Sequence, residues 1–297
     1  MDQAEKLRNM IKSQNEATPR QARVITVTSG KGGVGKSSVA INIAMQFRKQ
    51  GKSVIIFDAD FGLANIEVMF GAIPKYNLAD MIFRGKGFKD IIVEGPEGIG
   101  FISGGSGING LGNMNREQVQ YLVYKLKELE TLADIIIIDT GAGISDSVLE
   151  FVASSGEVLL VTTPEPTSIT DAYALLKALN ARSSFDKELC TIKVVANRVA
   201  NHEEGKNLYN KLEVVVSKFL NIQLKYLGSI PLDMNMSKAV MQQKPIAIAY
   251  PNSLGSKNIE NIANALLENK EAEEVRKNGL ARAVANMIKN SIVKKKQ

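Results

Sequence analysis

Positions 30–37 of the chain read GKGGVGKS, between the apolar run Val24–Thr28 and a stretch of helical periodicity that begins at Lys36. A glycine-rich turn between a strand and a helix could serve only as a turn. The complete GxxxxGKS pattern in this setting instead predicts a loop that binds the phosphates of a nucleotide, because its backbone N–H groups and the helix N-terminus can face them.

Positions within this loop have separate expected roles. Lys36 is expected to reach the β- and γ-phosphates, and Ser37 to place its hydroxyl on Mg²⁺. Lys31 is not required for holding phosphates in the same subunit, so it separates this loop from ordinary P-loops. The residues assigned to nucleotide binding here are Gly30, Lys31, Gly32, Gly33, Val34, Gly35, Lys36, Ser37 and Ser38.

Outside the loop, apolar runs alternate with helical periodicity. The run Ile135–Ile138 is continuously apolar, as expected for a strand that helices cover on both faces of a parallel sheet. The alternation predicts an α/β fold with a doubly wound, mostly parallel sheet flanked by helices. The other predicted strands are Val24–Thr28, Val54–Phe57, Ile99–Ile102, Glu157–Thr162, Ile192–Ala196 and Tyr226–Ile230. The predicted helices are Lys36–Gln50, Arg116–Thr131, Ser145–Ser154, Ser168–Asn180 and Glu203–Leu220.

The composition of the 297 residues is that of a globular protein, with 44% hydrophobic and 23% charged residues. A single cysteine, Cys190, cannot form an intramolecular disulfide, and no segment approaches the run of about 18 apolar residues that a spanning helix needs. We therefore expect a cytoplasmic protein. Its predicted parts are an N-terminal extension at 1–22, a P-loop domain at 23–270 and a C-terminal segment at 271–297.

Acidic residues follow two of the predicted strands, where a nucleotide site in such a sheet needs them. Any one of them could merely cap the next helix. Asp139 is expected to bind the water molecules that coordinate Mg²⁺, and Asp58 is expected to be a second acid close to the ion. Asp60 is the candidate for orienting the attacking water, and the glycines at 141 and 143 would let the second loop move with the γ-phosphate.

These motifs together, KGGVGKS at 31–37, DAD at 58–60 and DTGAG at 139–143, resemble the MinD/ParA family of ATPases. The resemblance implies ATP as the nucleotide, with Mg²⁺, and an ATP-dependent homodimer in which Lys31 crosses to the partner's ATP. It also implies adenine contacts at Asn197 and at Pro231 and Asp233. The residues expected to act in hydrolysis are Lys31, Lys36, Asp60 and Asp139.

The N-terminal stretch DQAEKLR at 2–8 resembles the FlhG group of this family, whose members regulate flagellar number. The resemblance implies contact with the GTPase FlhF, which this segment would stimulate, with Gln3 contributing to catalysis, and contact with flagellar C-ring proteins. A solvated, charged helix start is the alternative for the same residues. The predicted partner-binding residues are Asp2, Gln3, Ala4, Leu7 and Arg8.

The C-terminal segment carries one apolar stripe at helical spacing and ends in three lysines. A helix that packs on its own domain is one interpretation. A basic amphipathic helix on an anionic membrane is the other, and we favour it because of the lysines and the family resemblance. The predicted membrane residues are Leu280, Val284, Met287, Ile288, Ile292, Lys294, Lys295 and Lys296. ATP-driven pairing would then bring two such helices together, so that the protein associates reversibly with the inner face of the cell membrane.

Other functions remain open at this point. A cell-division MinD or a DNA-partitioning ParA would share the fold, although we expect no nucleic-acid partner. A metal-cluster carrier is poorly supported by one cysteine. His202 is expected in a surface loop, and Cys190 is expected to be a small buried or edge residue; neither is assigned to a site.

Overall fold

The computed structural model describes residues 21–60, 65–105 and 116–268. Eight strands lie in these ranges: β1 Arg23–Ser29, β2 Val54–Ala59, β3 Val93–Glu94, β4 Gly100–Ser103, β5 Ile135–Ala142, β6 Glu157–Thr162, β7 Thr191–Val199 and β8 Leu224–Pro231. They form one sheet in the order β3-β4-β2-β5-β1-β6-β7-β8. Neighbouring strands are parallel except β3 and β4, which are antiparallel.

Helices follow most strands. In the described ranges they are α1 Lys36–Lys49, α2 Asn65–Phe70, α3 Leu78–Arg84, α4 Phe88–Ile91, α5 Arg116–Leu129, α6 Asp146–Ala153, α7 Pro166–Asn180, α8 His202–Leu220, α9 Met234–Met241, α10 Ile246–Ala249 and α11 Leu254–Glu268. A 3₁₀ turn lies at Pro96–Gly98.

The isoleucine run of β5 explains why the sheet has helices on both faces. Ile135 and Ile137 pack with buried residues of α1 and α11, whereas Ile136 and Ile138 pack with α3 and α5 on the opposite face. Successive side chains of a strand point to opposite faces, so an uninterrupted apolar run needs two layers of helices. The predicted fold class is confirmed.

Helix α1 is buried along most of its length between the sheet and helices α10 and α11. Its one buried asparagine, Asn42, donates to the Ser38 carbonyl at 2.8 Å and accepts from the Ala247 N–H at 3.1 Å. This side chain therefore ties the phosphate-loop helix to α10. A loop that opens a helix held in this way has a fixed position relative to the sheet.

All seven predicted strands and all five predicted helices are present, with ends that differ by a few residues. β5 continues to Ala142 and β2 to Ala59, so that Asp139 and Asp58, which were predicted to follow these strands, lie inside them. The sequence did not predict the two-residue edge strand β3, the short helices α2–α4, or helices α9–α11.

The two terminal segments fall outside most of this description. The structure covers only Gln21 and Ala22 of the predicted N-terminal extension, and none of residues 271–297. None of the helices in the described ranges has both the length and the apolar character needed to cross a bilayer.

Candidate active site

The loop at 30–37 connects β1 to α1 as the sequence predicted. Gly33 and Gly35 have φ angles of 76° and 91°, in the left-handed region that glycine adopts most readily. Gly35 is the N-cap of α1, no side chain caps the helix, and its first turn holds no acidic residue. The N–H groups that open α1 are therefore left for an anion such as a phosphate.

Gly30 packs directly on helix α7. A Cβ at this position would lie 2.2 Å from the backbone carbonyl of Asp171. At Gly32 and Gly33, by contrast, no atom lies within 4 Å of such a Cβ. The first glycine thus fixes the loop against α7, and the middle glycines border open space where phosphates can approach.

Lys36 and Asp139 form a buried ion pair at the carboxyl edge of the sheet. Lys36 Nζ lies 2.8 Å from Asp139 Oδ1, with side chains 8% and 0% exposed. Complete burial raises the pKa of the Asp139 carboxyl, and the Lys36 ammonium opposes that rise. The lysine predicted to hold phosphates and the acid predicted to hold magnesium are therefore in contact.

Asp58 lies on the neighbouring strand, with its Cα in register with that of Asp139. Its carboxylate accepts the N–H groups of Asp60 and Ile66 at 3.0 and 3.5 Å. Burial, together with the charge of Asp139, raises the pKa of Asp58 to about 7. Two buried acids side by side make this edge favourable for a cation.

Asp60 lies at the same edge, next to the end of β5. A Cβ on Gly141 would be 3.6 Å from Asp60 Oδ1. The sequence predicted that Gly141 lies in a mobile loop, but it is part of β5. Gly143 lies in the loop that follows, where its N–H donates to the Ser29 carbonyl at 2.9 Å and its φ is 88°. The predicted water-orienting acid is therefore a neighbour of Gly141.

The residues at this edge fit a magnesium ion. Asp139 Oδ2 is buried and has no hydrogen-bond partner among the described residues, and Ser37 Oγ lies 3.4 Å from Lys36 Nζ. Within the described ranges, no group of three or more His, Cys, Asp or Glu residues is arranged to hold a metal ion. Ser37, Asp139 and Asp58 would thus share the ion with phosphate oxygens and water, as Mg²⁺ prefers.

Lys31 contacts residues of its own chain. Its Nζ donates to Glu165 Oε2 at 2.6 Å and to Thr167 Oγ1 at 2.7 Å. The Lys31 side chain is 34% exposed, whereas that of Lys36 is buried. The two lysines of the loop therefore occupy different places, one at the surface and one in the interior.

The residues predicted to contact adenine lie near the loop. The Asn197 side chain donates to the Val34 carbonyl at 2.7 Å and accepts the Arg198 N–H at 3.0 Å. Asn197 is in register with Ile230, one residue before Pro231. Asp233 caps α9 through the N–H of Asn235 and also accepts the N–H of Gly255, at 2.8 and 2.9 Å. The side chains of Asn197 and Asp233 thus bind backbone groups of their own chain. Contact with adenine remains a prediction for Asn197, Pro231 and Asp233.

Sequence reasoning missed Glu165 and Thr167 as contacts of Lys31. They follow β6, so the same strand-end rule that selected Asp58 and Asp139 could have selected Glu165. The prediction of a loop position for His202 was wrong, because this exposed residue is the first of α8 and follows its N-cap Asn201. Cys190 directly precedes β7, and burial raises the pKa of its thiol to about 12.

Two predicted interaction segments lie outside the described residues. They are the N-terminal motif at 2–8 and the apolar stripe with its lysines at 280–296.

Comparison with known proteins identifies the family. The family model described as "ParA: NUBPL iron-transfer P-loop NTPase" matches residues 20–267. The chain belongs to the MinD/ParA family of P-loop NTPases. Iron transfer, in that description, refers to NUBPL. This chain has a single cysteine.

Two curated relatives confirm the predicted branch of the MinD/ParA family. The antiactivator FleN of Pseudomonas aeruginosa is 41% identical over 234 residues, which cover 79% of this chain and 82% of FleN. The flagellum site-determining protein YlxH of Helicobacter pylori is 34% identical over 296 residues, which cover 97% of this chain and 98% of YlxH.

A solved member of the family has the same fold. The septum site-determining protein MinD from Pyrococcus horikoshii, in complex with Mg-ADP, superposes with a TM-score of 0.64. It is 22% identical, and the match covers 86% of this chain and 98% of that one. At this identity the likeness concerns the fold alone.

Proposed function

We propose that the chain hydrolyses ATP, that ATP drives it to dimerise at the inner face of the membrane, and that this switch regulates flagellar number and placement. The observation that carries the proposal is the buried Lys36–Asp139 pair at the mouth of the phosphate loop, with Asp58 and Asp60 beside it. This arrangement provides a cation for phosphates and acids for magnesium and water.

Each residue of the site has one role in hydrolysis of the substrate ATP. Lys36 leaves Asp139 to bind the β- and γ-phosphates, while the N–H groups of 32–37 hold the phosphate oxygens. Ser37, Asp139 and Asp58 would hold Mg²⁺, which would neutralise phosphate charge when bound. Asp60 orients the attacking water. The role of the protein is thus positioning and charge stabilisation.

The surface position of Lys31 supports its action on a second copy of the chain. Its side chain is partly exposed and is not part of the buried pair that Lys36 makes. In the dimer, Lys31 reaches the ATP of the partner subunit. Hydrolysis removes the γ-phosphate, and the subunits then separate, so ATP acts as a timer for the paired state.

The relatives supply the biological setting. One is named an antiactivator and the other a flagellum site-determining protein. We infer a related role here, with the FlhF-type GTPase as the partner of Asp2–Arg8 and with C-ring proteins as further partners. The C-terminal stripe and its lysines bind an anionic membrane, and two such helices in the dimer bind more firmly than one.

The proposal is tested by counting flagella in the host. Cells that lack the gene receive the wild-type gene, the Lys36→Ala variant, the Asp60→Ala variant, or Lys257→Ala as a control at an exposed site on α11. We expect only the wild type and the control to restore the number and placement of flagella. Normal flagellation in all strains, combined with a defect in cell division or plasmid inheritance, would contradict the proposal. It would instead favour a function in cell division or in DNA partitioning.

A further inference from the structure

Lys31 is held by two residues that open helix α7. Its ammonium has three N–H donors, and two of them bind Glu165 Oε2 and Thr167 Oγ1 at 2.6 and 2.7 Å. Glu165 is the N-cap position of α7, and Thr167 is the second residue of the helix. We call these three side chains the Lys31 clasp.

The α7 side of the clasp is fixed in place. Ser168 Oγ accepts the Thr163 N–H at 3.1 Å and lies 3.0 Å from Thr162 Oγ1 in the interior. Pro166 occupies the first helical position, where its ring restricts the backbone. Gly30 packs on the Asp171 backbone. The backbone that carries Glu165 and Thr167 is therefore fixed, so that opening the clasp moves side chains only.

The clasp lies at the surface, where it can be opened. The side chains of Lys31 and Glu165 are 34% and 55% exposed. Water can therefore solvate both partners when they separate, unlike the buried Lys36–Asp139 pair. Opening the clasp requires no movement of a strand or helix.

We propose that Glu165 and Thr167 are positioning residues that hold Lys31 on its own subunit and so oppose ATP-dependent dimerisation. The inference rests on the proposed function, in which Lys31 acts on the ATP of a second copy. While the clasp is closed, Lys31 can offer the partner's phosphates only its third N–H group. Full binding of those phosphates therefore opens the clasps of both subunits, and the strength of the clasps sets the protein concentration at which ATP pairs the subunits.

The size of the effect follows from the exposure of the pair. Loss of one exposed ion pair changes the equilibrium constant that it affects by about two- to fourfold. Two such pairs open in each dimer, so removing both should lower the dimer dissociation constant by about four- to sixteenfold. Loss of the Thr167 hydroxyl alone should act in the same direction but less strongly, since Glu165 still holds the ammonium.

The test measures dimerisation by sedimentation velocity in MgATP. All proteins carry Asp60→Ala to slow hydrolysis, and the added changes are Glu165→Gln, Thr167→Val, or Glu260→Gln as a matched control at an exposed position on α11. We expect the dimer dissociation constant to fall with Glu165→Gln, to fall less with Thr167→Val, and to stay unchanged in the control. In chains with Asp60 intact, the protein concentration for half-maximal ATP hydrolysis should fall by the same factors.

Two different failures can be told apart. If the Asp60→Ala protein dimerises in MgATP but Glu165→Gln leaves the dissociation constant unchanged or raises it, the clasp proposal is overturned and the proposed function stands. If no protein dimerises in MgATP at any concentration, both proposals are overturned. Thermal unfolding of each variant confirms that the comparison is between folded chains.

Discussion

Lys36 Nζ lies 2.8 Å from Asp139 Oδ1, although the two residues are 103 positions apart in the sequence. They meet because β1, which leads into the phosphate loop, pairs with β5, so that Val27 is in register with Asp139. The pair joins the phosphate-binding element to the acid expected to hold magnesium. A change at either residue should therefore disturb both functions at once.

Replacing Lys36 by alanine should abolish ATP hydrolysis. The change removes the cation for the β- and γ-phosphates and leaves Asp139 in the interior without its partner, so we expect the rate to fall at least about 100-fold. Phosphate release measured at saturating ATP checks this. Lys257→Ala is the control, because Lys257 is an exposed lysine on α11. Wild-type turnover in Lys36→Ala would contradict the assignment.

Replacing Asp60 by alanine should separate binding from hydrolysis. Asp60 borders Gly141 near the end of β5 but lies outside the phosphate loop itself. We expect hydrolysis to fall about 100- to 10,000-fold, which is the range for loss of a side chain that orients the attacking water and accepts its proton, while ATP still binds. Calorimetric titration with ATP and phosphate release measure the two properties. Loss of binding with hydrolysis would show that Asp60 has a structural role instead.

Two glycines of the phosphate loop should respond differently to alanine. A Cβ at Gly30 would lie 2.2 Å from the Asp171 carbonyl, whereas at Gly32 no atom lies within 4 Å. Thermal unfolding without nucleotide should show Gly30→Ala destabilised by about 1–3 kcal/mol, as for overpacking, and Gly32→Ala close to wild type. Equal unfolding temperatures for the two variants would contradict the packing of the loop on α7.

The stability of the fold should depend on pH through Glu157. This buried carboxylate binds Arg23 at 2.8 Å and Lys193 at 2.5 Å. Burial raises its pKa, but the hydrogen bonds and charges of these two cations outweigh burial and hold the pKa below the ordinary 4.5. The stabilisation is therefore complete above that value and is lost as the pH falls through the lower pKa of the folded state.

Glu157→Gln should remove this dependence. The variant leaves the buried Lys193 and the partly buried Arg23 with a neutral partner, so urea unfolding at pH 7 should show a loss of about 3 kcal/mol. The difference from wild type should shrink below pH 4.5, where the unfolded chain takes up the proton. Glu260→Gln, an exposed change on α11, serves as the control. A difference that stays constant down to pH 3 would contradict the argument.

Membrane binding should require both ATP and the C-terminal lysines. We expect the wild type to sediment with anionic liposomes in ATP and not in ADP, and the Asp60→Ala protein to bind most. Changing Lys294, Lys295 and Lys296 to glutamine should weaken binding by about 1 kcal/mol for each lysine. The same change at exposed Lys218, Lys244 and Lys257 gives equal net charge and should have little effect. Equal binding in ADP and ATP would contradict the switch.

Local patterns predicted the fold and most of the site. The isoleucines of β5 require two helical layers, and the loop at 30–37 has a signature that does not depend on the rest of the chain. Asp58 and Asp139 were found because parallel strands bring their carboxyl ends to one edge. These features are written in short stretches of sequence, which is why they could be read in advance.

Contacts between distant segments could not be predicted in this way. Glu165 meets Lys31 across 134 positions, and Asn197 reaches the Val34 carbonyl across 163 positions. Neither contact leaves a local pattern, because each depends on the order of strands in the sheet. The two-residue strand β3 and the four-residue helices α4 and α10 are too short to show a period.

The most direct test of the central claim is to mix two inactive variants and measure ATP hydrolysis. In a dimer of Lys31→Ala with Asp60→Ala, the site of the first subunit keeps its own Asp60 and receives Lys31 from the second. Random pairing should restore about a quarter of the wild-type rate, because half of the dimers are mixed and each has one complete site of two. If Lys31 acted only within its own subunit, the mixture would stay as inactive as its components, and the action of Lys31 on the ATP of the partner subunit would be contradicted.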